Sequence, residues 1–216
     1  METFQKPCFI IPNYLNWYQE RVSMEYFEKK QKTDTMDPFV IGYFSGSPTH
    51  VKDLGMIMPE IEQFLKKHDN AMLKVVGYMD LPDQWDYLKS DGKMVFTAFQ
   101  SFTGLQYEQA KVDVNVVPLV NNLFSNCKSE LKYFENAIVG TVTCATPTYS
   151  FQKAIESGSN GYLCNEGEWY GALEKIYQDS DNRKMQLKIR ESALNCYGNR
   201  NQLNLVESVL KKTESI

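Results

Sequence analysis

Short runs of β-branched and aromatic residues alternate with amphipathic stretches along most of the chain, and this alternation constrains the fold more than any other feature. Phe39 to Phe44 (FVIGYF), Met72 to Val76 (MLKVV), Lys93 to Phe99, Val112 to Leu119 (VDVNVVPL) and Val139 to Cys144 read as strands, with shorter ones at Pro7 to Ile11 (PCFII) and Gly161 to Cys164. Between them, Glu20 to Lys32 reads as a helix with Val22, Tyr26 and Phe27 on its apolar face, broken at Asp37-Pro38. Met56 to Lys67 aligns Ile57, Ile61, Phe64 and Leu65 along one side. Ser129 to Ala137 and Tyr149 to Ser157 are further helices, and three more, at about Gly167 to Gln178, Asp181 to Cys196 and Gln202 to Lys212, close the chain. Unbroken apolar strands between helices belong to a parallel sheet buried on both sides. The expectation is one α/β domain over residues 1–216, a Rossmann-like, mainly parallel sheet of about six strands with helices on both faces.

Composition narrows the function. Of the 216 residues 43% are apolar and 23% charged, the balance of a soluble globular protein. The net charge of −4, with no basic stripe, argues against nucleic acid as a partner. No apolar run approaches the roughly 20 residues that span a bilayer, and Met1 to Pro7 lacks the apolar centre of a signal peptide. The five cysteines, Cys8, Cys127, Cys144, Cys164 and Cys196, are scattered and form no CxxC pair, which fits free thiols in a cytoplasmic protein. His50 and His68 are too few and too far apart for a metal cluster, and no Asp-x-Asp pair stands in a suitable strand-end loop, so no metal and no cofactor is expected.

In such a sheet, ligands bind where the carboxyl ends of the strands lead into helices. That directs attention to Ser45 to Asp53, Gly77 to Asp83 and Val120 to Glu130. Gly77-Tyr78-Met79-Asp80 lacks the later glycines of a dinucleotide fingerprint. The richest segment is Asn121 to Gly140 (NNLFSNCKSELKYFENAIVG), a polar loop running into a helix that Ser129 or a neighbour can cap. Free N–H groups in that first turn, with Lys128 beside them, suit a diphosphate. Glu130 and Glu135 stand five apart, about 140° around a helix, so they do not form a simple carboxylate pair. On composition alone, Lys128, Glu130, Lys132 and Glu135 read more readily as a solvated helix surface than as a site.

The order and spacing of several segments resemble the C-terminal domain of a GT-B glycosyltransferase of the retaining group called family four. The segments are PCFIIPN (Pro7 to Asn13), IGYFSGSPTHVKD (Ile41 to Asp53), LKVVGY (Leu73 to Tyr78), VDVNVVPL (Val112 to Leu119), SELKYFENAIVG (Ser129 to Gly140) and ESGSNGYLCNEGEWYGALEKIYQD (Glu156 to Asp179). The resemblance implies a site for a nucleoside-diphosphate sugar formed by Ser45, Gly46, Ser47, His50, Lys52, Gly77, Tyr78, Phe99, Lys128, Ser129, Glu130, Leu131 and Glu135, with Glu135 holding the ribose hydroxyls. Two departures stand out. The family's first motif Glu falls at Cys127, leaving Glu130 as the candidate to take over its sugar contact, and the first loop has no Arg, leaving Lys52 and Lys128 to neutralise phosphate.

The resemblance further implies retaining glycosyl transfer in surface polysaccharide or glycan synthesis, in the cytoplasm or peripherally at the inner membrane face. It also implies an acceptor-binding N-terminal domain or partner chain that these residues do not include. The alternative reading is a non-catalytic nucleotide-sugar-binding or scaffold module that pairs with a separate chain.

Overall fold

The computed structural model of the chain describes residues 8–32, 38–179 and 182–213. The expectations for Met1 to Pro7, Asp37 and Asp181 lie outside the described residues. In order, the elements are α1 (Trp17–Lys32), β1 (Phe39–Ser45), α2 (Val51–Lys67), β2 (Ala71–Gly77), α3 (Asp86–Ser90), β3 (Met94–Ala98), α4 (Phe102–Ala110) and β4 (Val114–Val117). They continue with α5 (Leu123–Asn126), α6 (Leu131–Ala137), β5 (Val142–Ala145), α7 (Tyr149–Ala154), β6 (Tyr162–Leu163), α8 (Trp169–Gln178), α9 (Asn182–Tyr197) and α10 (Asn199–Thr213).

Every strand pair is parallel, and the order across the sheet is β3-β2-β1-β4-β5-β6. The expected Rossmann-like α/β sheet is therefore the one found. β1, β4 and β5 are buried along their whole length, because parallel strands carry helices on both sides. Connections step one way from β1 through β3 and the other way from β4 through β6, and right-handed crossovers then place their helices on opposite faces. Accordingly α2 packs on α8, while α1, α4, α6 and α9 pack in succession on one another. The chain direction reverses between β1 and β4, the switch point at which such sheets bind ligands.

The elements depart from the sequence expectations in three places. Cys8 to Ile11, the described part of the run expected to open the sheet, forms no strand, and Ile10 is 71% exposed. Pro12 follows immediately and cannot donate to a ladder. Helix α2 starts five residues earlier than its apolar stripe implies: Ser47 caps a 3-10 turn begun by Pro48, and the turn runs directly into the helix. Helix α4 had no counterpart in the sequence reading, because its buried residues are Gln106, Glu108, Gln109 and Ala110. These polar groups are satisfied from afar. Ser23 Oγ donates to Gln106 at 2.5 Å, Gln106 donates to Gln109 at 2.9 Å, and Glu108 pairs with Lys74 and Lys111.

Gly77 joins the ends of β1 and β2. Its φ is +131°, and a Cβ there would lie 1.8 Å from the Ser45 carbonyl oxygen, which accepts a bond from Tyr78 N at 3.1 Å. Only glycine allows that approach. Among the described residues, no helix is long and apolar enough to cross a membrane.

Candidate functional site

The loop after β1 and the loop after β4 meet at the switch point. The first is held by its own side chains. Ser45 Oγ donates to the Ser47 carbonyl at 2.9 Å and lies 3.3 Å from His50 Nδ1. The Tyr43 hydroxyl donates to the His50 carbonyl at 2.8 Å. Gly46 is exposed, and a Cβ added to it would meet nothing within 4 Å, so the loop leaves open space above β1.

The second loop is braced by asparagines. Asn122 accepts from Ser125 N at 2.9 Å and so caps α5, while Asn126 donates to Asn121 at 2.7 Å and accepts from Tyr149 N at 2.7 Å. Cys127 ends α5 and is exposed. Ser129 does not cap the following helix, contrary to the sequence expectation. Its hydroxyl accepts from Asn13 Nδ2 at 2.9 Å, and the helix starts two residues later with Glu130 at the cap position and no side-chain cap bond. Consequently the backbone N–H groups of Ser129, Glu130, Leu131 and Lys132 donate no hydrogen bond among the described residues. Four successive unspent donors at an exposed turn form a ready anion cradle.

Two lysines stand at that turn, among the carboxylates of Asp53, Glu130 and Glu135. Lys128 Nζ lies 4.8 Å from the Phe124 ring centroid, and Lys132 Nζ lies 5.5 Å from that of Tyr43. Lys132 is half-buried and forms no hydrogen bond or ion pair among the described residues. Burial lowers its pKa from 10.5 to about 8, with Asp53 and Glu135 opposing that shift and Lys128 adding to it. His50 is likewise held below its ordinary value, by burial first and then by Lys132 and Lys128. The two lysines and His50 therefore share one space at the switch point, and a bound anion would oppose the shifts at His50 and Lys132.

Not every residue expected at the site joins this cluster. Lys52 is exposed on α2, and the α2 charge that reaches His50, Tyr43 and Lys132 is Asp53. Tyr78 and Phe99 are exposed beyond the ends of β2 and β3, directly after the paired residues Gly77 and Ala98. Leu131 is exposed at the start of α6. Glu130 faces Tyr197, whose hydroxyl is held above its ordinary range by burial and by that carboxylate. Glu135 is no solvated surface residue: it is 9% exposed beneath α1, and Gln19 Nε2 approaches its carboxylate at 3.5 Å. Burial raises its pKa to about 7, with Gln19, Lys132 and Gln109 opposing the shift.

Lys132 is the residue that the sequence reading left on the surface.

No family model and no curated protein matches the sequence. Solved structures do match in fold. The sucrose-phosphate synthase of Thermosynechococcus elongatus superposes with a TM-score of 0.71 at 15% identity, over 96% of this chain and 53% of that one. Anabaena Alr3699/HepE in complex with UDP and glucose gives 0.67 at 15% identity, over 94% and 56%. WaaG, a glycosyltransferase involved in lipopolysaccharide biosynthesis, gives 0.64 at 14% identity, over 90% and 55%. The chain spans about half the length of each of these proteins. The fold expected from the sequence resemblance is the fold this chain shares with about half of each of these proteins.

Proposed function

We propose that the chain is the donor-binding half of a glycosyltransferase and holds a nucleotide-activated sugar at the β1–β4 switch point. The observation that carries this reading is the run of unspent N–H donors at residues 129–132 beside Lys128, Lys132 and His50. A diphosphate matches it in charge and in acceptor number, and stabilising a departing nucleoside diphosphate is the main electrostatic demand of such a transfer. Three of the solved neighbours, Anabaena Alr3699/HepE, S. aureus TarM and the pneumococcal O-GlcNAc transferase GtfA, carry UDP in their complexes, which favours a UDP-type donor. Transfer with retention, in glycan or polysaccharide synthesis, follows from the sequence resemblance. The acceptor and its binding surface come from outside these residues, so the chain alone binds donor and transfers nothing, since neither water exclusion nor acceptor positioning is provided.

Glu135 is the proposed ribose ligand. An ionised carboxylate accepts both hydroxyls of a cis-diol, and the long contact from Gln19 is weak enough to be exchanged for them. The competing reading, a binding module without transfer, draws on Cys127 standing where the resemblance expects a carboxylate.

Calorimetric titration tests the proposal. UDP is expected to bind, and Glu135→Gln, which keeps the shape of the side chain, should weaken it roughly tenfold to a hundredfold, the scale of lost charge-assisted hydrogen bonds. Lys128→Ala should weaken UDP but leave uridine unaffected, and more so at low salt. Equal UDP affinity in the folded Glu135→Gln protein would remove that residue from the site. No binding of any nucleoside diphosphate would sink the proposal.

A further inference from the structure

A second recess lies away from the strand ends, between the start of α1 and the turn joining α9 to α10, with a volume of about 650 Å³. Its floor is rigid. The Glu20 carboxylate accepts from Asn199 N at 2.6 Å and from Asn199 Nδ2 at 2.7 Å, which fixes α10 to α1 and occupies both carboxylate oxygens, leaving one negative charge against the two arginines of the walls. A Cβ at Gly198 would lie 2.5 Å from the Leu194 carbonyl, so the turn is closed too tightly for a larger residue.

Its walls, by contrast, are chemically unspent. Trp17 is 64% exposed, while the other two tryptophans, Trp85 and Trp169, are 4% and 3% exposed. The Arg21 guanidinium lies 5.6 Å from the Trp17 ring centroid, and its N–H groups donate no hydrogen bond among the described residues. Arg200 and the Asn195 side-chain amide make no hydrogen bond among the described residues either.

We propose that this recess binds a saccharide chain that carries carboxylate or other anionic groups. An exposed indole offers a flat surface with a negative face, on which the C–H side of a sugar ring packs. A free amide donates to and accepts from ring hydroxyls, and two guanidinium groups without a hydrogen-bonded carboxylate, Arg21 against the Trp17 and Tyr18 rings and the exposed Arg200, favour anions. A nucleobase could also stack on Trp17, but the recess offers no run of free backbone donors for its phosphates. The volume is in the range of sites that hold small ligands.

The recess also communicates with the candidate donor site along the chain. Asn13 bonds Ser129 in the phosphate loop, and four residues later Trp17 opens α1, a span of at most about 14 Å. The site stands on its own residues, so it holds whether or not the donor proposal does.

Trp17 supplies the readout, because it is the exposed tryptophan and therefore dominates quenching by acrylamide. Tetragalacturonic acid is the anionic probe and maltotetraose the neutral one. The expected result is that tetragalacturonic acid shields Trp17 from acrylamide at low salt, and that maltotetraose shields it less. By calorimetry, Trp17→Ala should lower tetragalacturonate affinity about tenfold, and Arg200→Ala roughly fivefold. UDP affinity should stay unchanged in both variants, which separates this site from the donor site. Absence of shielding by either oligosaccharide at millimolar concentration overturns the proposal, as does unchanged tetragalacturonate affinity in both variants. Equal shielding by the neutral oligosaccharide overturns its anionic part.

Discussion

Lys30 and Lys132 invite comparison, because burial lowers both from 10.5 to about 8. Lys30 lies below the amino end of β4 and is fully occupied. It donates to the Val112 carbonyl at 2.7 Å and to Thr141 Oγ1 at 2.8 Å, and it faces the Asp113 carboxylate, which accepts from Val40 N at 2.7 Å. Lys132 lies at the switch point, with only the Tyr43 ring and the field of Asp53 and Glu135 for company. The fold thus spends one buried cation on tying α1 to the sheet and leaves the other uncompensated. A desolvated charge with no partner costs stability, and such groups persist where a ligand completes them.

The largest expected effect is at Lys30. Lys30→Met leaves the buried Asp113 carboxylate without its facing cation, and leaving a buried charge uncompensated should cost about 3–5 kcal/mol, seen as a lowered thermal midpoint. The sign of the pH dependence follows from Asp113. Its folded pKa, raised to about 6 mainly by burial, lies above its ordinary 3.8. Its contribution is therefore fully present below pH 4 and falls as pH rises through 6. Without Lys30 the ionised form is costlier still, so the variant should lose more stability at pH 7.5 than at pH 5. UDP affinity should be unchanged, since Lys30 is remote from the switch point. An equal loss at both pH values would show that Lys30 acts through packing and not through the carboxylate.

At Lys132 the two outcomes should exchange places. Lys132→Met should leave the thermal midpoint unchanged or raise it, because an unpaired half-buried charge is removed. UDP affinity should fall roughly tenfold to a hundredfold. In the wild type, affinity should decline as pH rises past about 8, where the lysine loses its proton. It should also weaken as pH falls through about 7, where Glu135 gains one. The Met variant should lose the alkaline limb and keep the acid one. An intact alkaline limb in Lys132→Met would assign the titration to another group.

The same comparison separates what the sequence makes legible from what it does not. Strands β1 and β4 are readable because both their faces are buried, so FVIGYF and VNVV appear as unbroken apolar runs. Helix α4 is not readable, since Gln106, Glu108 and Gln109 face inward toward partners such as Ser23 and Lys74 that are distant in sequence. Ser45, Ser47 and His50 follow from the rule that ligands gather at strand ends, and the structure does bring them together. Lys132 and Glu135 look alike on paper, two charges on a short helix. The fold separates them: Lys132 comes to lie against the Tyr43 ring with no ion pair among the described residues, while Glu135 is buried beside Gln19 of α1 as a carboxylate poised near neutrality.

Lys52 supplies the smallest expected effect and the sharpest control. The sequence offers it as readily as Lys128 for phosphate neutralisation, since both are lysines in loops that lead from strand ends into helices. Their surroundings differ. Lys128 contributes to the lowered pKa of both His50 and Lys132, so it shares their space. Lys52 is exposed in the first turn of α2, and the charge from that turn which reaches the cluster is Asp53. An exposed lysine acts on a nearby anion only through water and is screened by salt. Lys52→Ala should therefore change UDP affinity by less than about twofold at physiological ionic strength, while Lys128→Ala changes it several times more. A loss at Lys52 equal to that at Lys128 would mean that the first loop closes over the phosphates when nucleotide binds. The unspent donors at residues 129–132 would then be one wall of the site, with Lys52 on the other.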